Sequence, residues 1–139
     1  MLSAICYTST KSEKLNQDNL KELISNSIIN NRRNEISGVL IEYKSNFLQY
    51  IEGPSFNVLD LFSKIKNDYR HHSVFLIQQK DIEHRVFPNW NMLFKEHNKI
   101  EFDTELKKVV HYDNKIQKSL GKDAFWKNIN IVEYLSNLV

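Results

Sequence analysis

The chain has 139 residues, which suits one domain with one hydrophobic core. Hydrophobic residues make up 41% and charged residues 26%, and this balance excludes a disordered chain. The formal net charge is only +2, from 19 basic and 17 acidic residues, which argues against a dedicated nucleic-acid or membrane-surface protein.

Cys6 is the only cysteine, so no disulfide can form within the chain. No apolar run approaches the roughly 20 residues that span a bilayer. The first ten residues are apolar but lack the basic segment and cleavage site of a signal peptide. We therefore expect a cytoplasmic protein without a membrane partner.

Hydrophobic periodicity predicts seven elements in the order β-α-β-β-α-β-β. The predicted strands cover residues 2–7, 38–43, 47–51, 74–77 and 90–94. The first helix covers residues 16–31, and the second begins near Pro54. Right-handed crossovers and the central hairpin then give an α+β fold: a ferredoxin-like, five-stranded mixed sheet with both helices on one face.

The pattern changes after Asn98. Asp103 is a plausible N-cap, Gly121 a plausible stop, and two amphipathic helices are predicted around them. Because an open apolar sheet face must be covered, these helices are expected on the face that the first two leave bare. The predicted division is a domain over residues 1–97 and a helical extension over 98–139.

Polar side chains within apolar strands are the most informative feature. Gln49 lies at the centre of the run Phe47–Ile51, and a buried amide without partners costs about 1–3 kcal/mol. Tyr7, which closes the predicted first strand, brings a hydroxyl that could meet it. From the pattern alone, mutual satisfaction in the core is as good an interpretation as a functional site.

Three further features have a structural alternative. Asn30 and Asn31, with Ser27 one turn earlier, are typical of a helix end. Lys64 and Asp68 have the spacing of an exposed ion pair on the second helix. Trp90 and Met92, two residues apart in the last predicted strand, share a face and would ordinarily be core.

Metal and nucleophile chemistry find little support in the sequence. Adjacent residues of the His71-His72 pair point apart, and no HExxH motif or ligand-spaced cluster exists. Cys6 faces away from Tyr7 by strand alternation and is interpreted as a small buried hydrophobe.

Taken together, the features over residues 1–97 resemble the BLUF family, the sensors of blue light using FAD. The specific part is the combined spacing: Tyr7 in the first strand, Asn31 before Ser37-Gly38, F-L-Q-Y-I-E-G from Phe47, D-Y-R-H from Asp68, and W-x-M from Trp90. Each motif alone is weak, but five in order form a strong signal.

The resemblance implies a flavin ring between the two helices and assigns roles to residues. Asn31 would bond the C4 carbonyl and N3 side, Gln49 would face N5 and the C4 carbonyl, and Tyr7 would bond to Gln49. Ser27 and Asn30 match positions along the ring. The positions near the C2 side and the tail are matched by Lys64, Asp68, Arg70 and His71, and Trp90 and Met92 match the pair thought to transmit the signal.

The resemblance also implies a light sensor that consumes no substrate. Electron and proton transfer from Tyr7 and rearrangement of Gln49 would give a red-shifted state. FAD is the expected cofactor, although the ring contacts do not distinguish it from FMN or riboflavin. Since 42 residues follow His97, a short stand-alone member is expected, which forms a homo-oligomer or acts on a separate regulatory protein.

Three other functions remain open at this stage. An RNA-binding module of the RRM type would need stacking aromatics with basic neighbours, and SGVLIEYK does not match RNP1. An acylphosphatase-like enzyme would need an Arg in a phosphate-binding loop, where TSTKSEK supplies only lysines. A ferredoxin-like interaction domain without photochemistry is also compatible with the sequence.

Overall fold

The computed structural model describes residues 1–96 together with Val132, Leu135 and Ser136, which are helical. Contacts divide the chain into two compact units, 1–96 and 97–139. The predicted cap at Asp103 and stop at Gly121 lie outside the described residues, so the helical extension and its packing stay predictions. No helix in the described part is long and apolar enough to cross a membrane.

The first unit has the predicted element order. Its five strands are β1 (Leu2–Lys11), β2 (Ser37–Tyr43), β3 (Asn46–Pro54), β4 (His71–Ile82) and β5 (Leu93–Glu96), and its two helices are α1 (Gln17–Arg33) and α2 (Ser55–Lys66). The sheet order is β4-β1-β3-β2-β5, antiparallel throughout except where β5 pairs with β2. This mixed sheet confirms the ferredoxin-like fold.

Both helices pack on one face of the sheet. Asn16 caps α1 by accepting the Asn19 amide at 2.8 Å. On this face α1 buries Leu20 against a cluster that contains Leu40, Phe47 and Met92. The second cluster, around α2, consists of Ile5, Tyr7, Ile36, Ile51, Val58 and Phe62. Because side chains alternate along β3, Gln49 faces the same side as Phe47 and Ile51, between the two clusters.

The start of β2 requires glycine. A Cβ on Gly38 would lie 2.0 Å from the carbonyl oxygen of Tyr50, far inside van der Waals contact. Without a side chain, Gly38 lets β2 approach β3 closely. Its amide donates to the Trp90 carbonyl at 2.9 Å.

Several strands and helices begin or end at residues other than those predicted. Tyr7 does not close the first strand, because β1 pairs on both sides beyond it and runs to Lys11. The first helix passes Asn31 and ends at the cap residue Asn34. The second ends at Lys66, so Asp68 lies beyond it, and His71 begins β4.

The prediction that Trp90 and Met92 share a face of the last strand is wrong. Pairing of β5 with β2 begins only at Leu93. Trp90 and Met92 both precede the strand, so strand alternation does not decide which face of the sheet their side chains occupy. The Trp90 ring stacks on Phe87 with centroids 6.1 Å apart, and Phe87 contacts Tyr50 on the face opposite the helices. Met92 instead packs with Leu20 and Leu40 on the helix face.

Candidate functional site

A cavity of about 250 Å³ opens between α1 and α2 above β1 and β3. Its apolar lining is Leu23, Leu40, Phe47, Leu61, Ile65 and Met92. Its polar lining is Tyr7, Ser27, Asn30, Asn31, Gln49, Lys64, Asp68, Arg70 and His71. The structure therefore brings together all nine residues named from the sequence as cofactor contacts.

Tyr7 and Gln49 meet at the floor of the cavity. They are directly opposite in the β1–β3 pairing, and the Tyr7 hydroxyl donates to Gln49 Oε1. Both side chains are buried, and burial, reinforced by Cys6 and Asp68, raises the pKa of Tyr7 well above its usual range. Tyr7 is therefore held as a neutral donor.

The other end of the Gln49 amide points at a sulfur atom. Gln49 Nε2 lies 3.5 Å from Met92 Sδ, which is a weak acceptor. The amide is thus oriented by a strong contact at its oxygen and a weak one at its nitrogen. The Nε2 group carries two hydrogens, so one of them remains able to donate to an acceptor in the cavity while the other meets the sulfur.

Asn31 is fixed from one side only. It is buried in the last turns of α1, and its Nδ2 donates to the Asn91 carbonyl at 2.8 Å. Asn91 in turn donates to the Ile36 carbonyl at 3.0 Å. Within residues 1–96 no hydrogen bond reaches Asn31 Oδ1, so this oxygen is left to accept from a ligand in the cavity.

Ser27 and Asn30 complete the polar side of α1. Ser27 is half-buried and Asn30 is exposed. Neither side chain makes a hydrogen bond with another described residue, although both line the cavity. Together with Asn31 they supply donors and acceptors along one wall.

The opposite wall carries a tight ion pair between Arg70 and Asp68, in place of the Lys64–Asp68 pair that the sequence spacing indicated. Arg70 Nη2 lies 2.5 Å from Asp68 Oδ2, and Arg70 Nε donates to Asp68 Oδ1 at 2.9 Å. These bonds hold the pKa of Asp68 below its usual range. Lys64 pairs with Asp60 at 3.2 Å, so the alternative of a Lys64–Asp68 pair is wrong.

His71 supports Tyr7 through its ring. Its Nδ1 bonds to Ser9 Oγ at 2.8 Å and its Nε2 to the Ile65 carbonyl at 2.6 Å. The ring stands edge-on to Tyr7, with centroids 6.3 Å apart. Because both nitrogens are engaged by the protein, His71 packs against the cavity rather than offering a free donor to it.

Glu52 is a buried polar residue to which sequence reasoning gave no role. It is 0% exposed and accepts the backbone amides of Val86 and Phe87 at 2.8 and 2.7 Å. The available signal was a carboxylate in the apolar strand F-L-Q-Y-I-E-G, on the face opposite Gln49 by alternation.

The donor set fits an oxidised flavin. A flavin ring is planar and presents acceptors and one N–H donor along an edge, and amide side chains carry both functions. The amides of Asn31 and Gln49 line the cavity between apolar side chains from both helices, where they would face such an edge.

Fold and site together define a flavin-binding sensor domain. The family described as "Sensors of blue-light using FAD" matches residues 2–93. The chain belongs to this BLUF family, whose cofactor is FAD.

Relatives include signalling enzymes. Photoactivated adenylate cyclase subunit beta of Euglena gracilis is 26% identical over 92 residues, which cover 66% of this chain and 11% of that protein. A bacterial light-regulated adenylyl cyclase structure superposes with a TM-score of 0.74 at 28% identity, over 85% of this chain and 36% of that one. The chain thus spans about a tenth of the length of the curated relatives it matches.

A smaller solved protein is similar over most of its length. The photo-activated state of BlsA gives a TM-score of 0.68 at 28% identity and covers 91% of this chain and 90% of that one. The match therefore does not depend on an attached cyclase.

Proposed function

We propose that this chain binds FAD non-covalently between α1 and α2 and serves as a blue-light photoreceptor through Tyr7 and Gln49. The hydrogen bond from Tyr7 to Gln49 Oε1, buried at the floor of a cavity with a matching donor set, carries the proposal.

The binding residues follow from the lining of the cavity. Asn31 and Gln49 would hold the polar edge of the ring, because their amides are buried and partly unpartnered within residues 1–96. Ser27 and Asn30 would line the ring from α1. Lys64, Asp68 and Arg70 would meet the C2 side and the tail, where Lys64 is largely exposed, and His71 would contribute by packing.

Bound FAD would supply the absorption of blue light and an acceptor for one electron. Loss of an electron makes a tyrosine hydroxyl strongly acidic, and the atom that Tyr7 already contacts is Gln49 Oε1. Rotation of the amide would then change which of its atoms faces the ring, whereas tautomerisation would leave both atoms in place and change which of them carries the proton. The product is a new hydrogen-bond pattern, so no substrate is consumed.

The light signal would leave this domain as a change in a protein–protein contact. The curated relatives join this domain to much longer chains named as adenylate cyclases. For this chain we propose an effect on a homo-oligomer contact or on a separate regulatory protein in the cytoplasm. The competing function, an interaction or RNA-binding module without photochemistry, would use the Tyr7–Gln49 pair only as a hydrogen bond within the core and gives no role to the polar cavity above it.

Absorption spectroscopy tests the proposal. The purified protein, supplied with FAD, should show a flavin band in the blue, and illumination should shift it reversibly to the red. The shift should disappear in the Gln49→Leu variant, which retains the flavin, and persist in Gln79→Leu, which changes an exposed glutamine on β4. A protein that takes up no flavin, or a shift that survives in Gln49→Leu, would refute the proposal.

A further inference from the structure

The loop between β4 and β5 is tied to the sheet by one buried carboxylate. Glu52 Oε1 accepts from the Phe87 amide at 2.7 Å and the Ser37 hydroxyl at 3.2 Å. Glu52 Oε2 accepts from the Val86 amide at 2.8 Å and the Tyr50 hydroxyl at 3.1 Å. Four donors match the roughly four acceptor sites of a carboxylate, so this group is fully satisfied only as a carboxylate.

The same loop reaches both faces of the sheet within a few residues. On the face opposite the helices, Phe87 stands edge-on to Tyr50 with centroids 5.6 Å apart, and Trp90 stacks on Phe87. At the edge of β2, the Trp90 carbonyl accepts the Gly38 amide at 2.9 Å. On the helix face, Met92 Sδ lies against Gln49 Nε2.

The contact between Met92 Sδ and Gln49 Nε2 is compatible with only one orientation of the Gln49 amide. A thioether sulfur accepts a weak hydrogen bond from an N–H group, but it cannot donate to a carbonyl oxygen. If the amide turned over, its oxygen would face the sulfur and the contact would be lost. Whether that loss reaches β5 depends on how firmly the preceding residues are held.

We propose that Glu52 is a positioning residue: by anchoring Val86 and Phe87 it keeps the Met92 sulfur against the Gln49 amide and makes β5 sensitive to that amide. The resting-state half of this inference depends only on the contacts above. The half that concerns light rests on the proposed function.

Replacement of Glu52 by Gln breaks the anchor while nearly conserving volume. The amide oxygen keeps one pair of donors, but the amide nitrogen then faces a backbone N–H group that cannot become an acceptor. Either the Val86 or the Phe87 amide therefore loses its partner. The matched control is Glu42→Gln, which changes a buried carboxylate on β2 that pairs with Lys11 at 3.4 Å.

Methyl NMR in the dark tests the positioning role without photochemistry. The chain has two methionines, and Met1 is 91% exposed whereas Met92 is 8% exposed, so methyl-labelled protein gives two distinguishable signals. In flavin-loaded Glu52→Gln the Met92 methyl should move towards the position of Met1 or broaden. Both signals should stay in place in Glu42→Gln.

A purely structural Glu52 would give a different result. Folded Glu52→Gln would then be less stable, but its Met92 methyl would keep the wild-type position, and that outcome overturns the inference. If Glu52→Gln does not accumulate as a folded protein, Tyr50→Phe removes one of the four donors and should move the Met92 methyl less, in the same direction. An unmoved signal in folded Tyr50→Phe would then overturn it.

The light-dependent half has a separate measurement. Glu52→Gln should change the rate of dark recovery by about threefold or more, and the change should vanish in a Met92→Ala background because both residues act on one contact. An equal change in both backgrounds would overturn the coupling. If the wild-type protein shows no red shift, the proposed function fails, while the dark methyl comparison still decides the positioning role.

Discussion

Tyr7 and Gln49 lie directly opposite each other on β1 and β3, and the tyrosine hydroxyl donates to the amide oxygen in a buried setting. Among the described residues, the Tyr7 hydroxyl and Gln49 Oε1 have only each other as hydrogen-bond partners. Neither can be removed without leaving a buried polar atom unpaired, and this mutual dependence makes the pair both a stability element and a candidate switch.

Tyr7→Phe should leave the flavin bound and abolish the red-shifted state. The variant removes the hydroxyl but keeps the ring that packs against Phe62 at a centroid distance of 5.5 Å. Light-minus-dark absorption spectra are the measurement. Tyr69→Phe is the control, since Tyr69 is 80% exposed and should retain the full shift. A reversible red shift in Tyr7→Phe would contradict the assigned role.

The pair should also be coupled in stability. Tyr7→Phe and Gln49→Leu should each lower the free energy of unfolding by about 1–3 kcal/mol, because each leaves a buried partner unsatisfied. The double variant should lose less than the sum, since both polar groups are then gone. Urea titrations of the four proteins at saturating FAD measure this. Additive losses would show that the hydrogen bond contributes nothing beyond its separate side chains.

Alternation and helical spacing were sufficient to predict the order of elements and to place Tyr7 and Gln49 together in the core, whereas the other polar residues of the cavity were named from the resemblance to the BLUF family. Gln49 is the clearest case: its place in an apolar strand already required a partner. The ion-pair partners of Lys64 and Asp68 could not be predicted in the same way. Lys64 pairs with Asp60 within α2, and Asp68 lies beyond the end of that helix and pairs with Arg70.

The β4–β5 loop could not be predicted by the same rules. Periodicity describes residues within strands, and Trp90 and Met92 lie before the strand begins. Their separation to opposite faces depends on contacts distant in sequence, from Glu52 to Val86 and Phe87 and from Gly38 to Trp90. A single sequence contains the residues for these contacts but no local pattern that pairs them.

Asn31→Ala should weaken flavin binding by about tenfold, equivalent to about 1.4 kcal/mol. The variant removes the amide oxygen that faces the cavity and the bond from Nδ2 to Asn91. Titration of the flavin-free protein, followed by flavin fluorescence, gives the dissociation constant. Asn57→Ala is the matched control, because Asn57 donates to the Asn34 carbonyl and does not line the cavity. Equal affinities for wild type and Asn31→Ala would remove Asn31 from the site.

The free energy of unfolding should fall as the pH rises above about 9. Burial raises the pKa of Cys6, Tyr7 and Tyr50, so these groups keep their protons in the folded chain after the unfolded chain has lost them. The stabilisation is complete below the unfolded values and decreases above them. Urea titrations between pH 7 and 11 measure the slope. Cys6→Ala should make it shallower while leaving the red shift intact, because Cys6 faces away from the cavity, and an unchanged slope would contradict its contribution.

Met92→Ala should keep the red shift but weaken the structural response to light. The Tyr7–Gln49 bond does not involve Met92, whereas the sulfur is the point where the amide nitrogen meets the loop before β5. Light-minus-dark hydrogen exchange over residues 90–139 is the measurement, made under conditions where the variant is folded, since truncation of a buried methionine costs about 2–5 kcal/mol. Leu61→Ala is the control, because Leu61 lines the same cavity without a hydrogen bond to Gln49. If wild type exchanges identically in light and dark over this segment, or if Met92→Ala retains the full difference, the signal leaves the cavity by a route other than Met92.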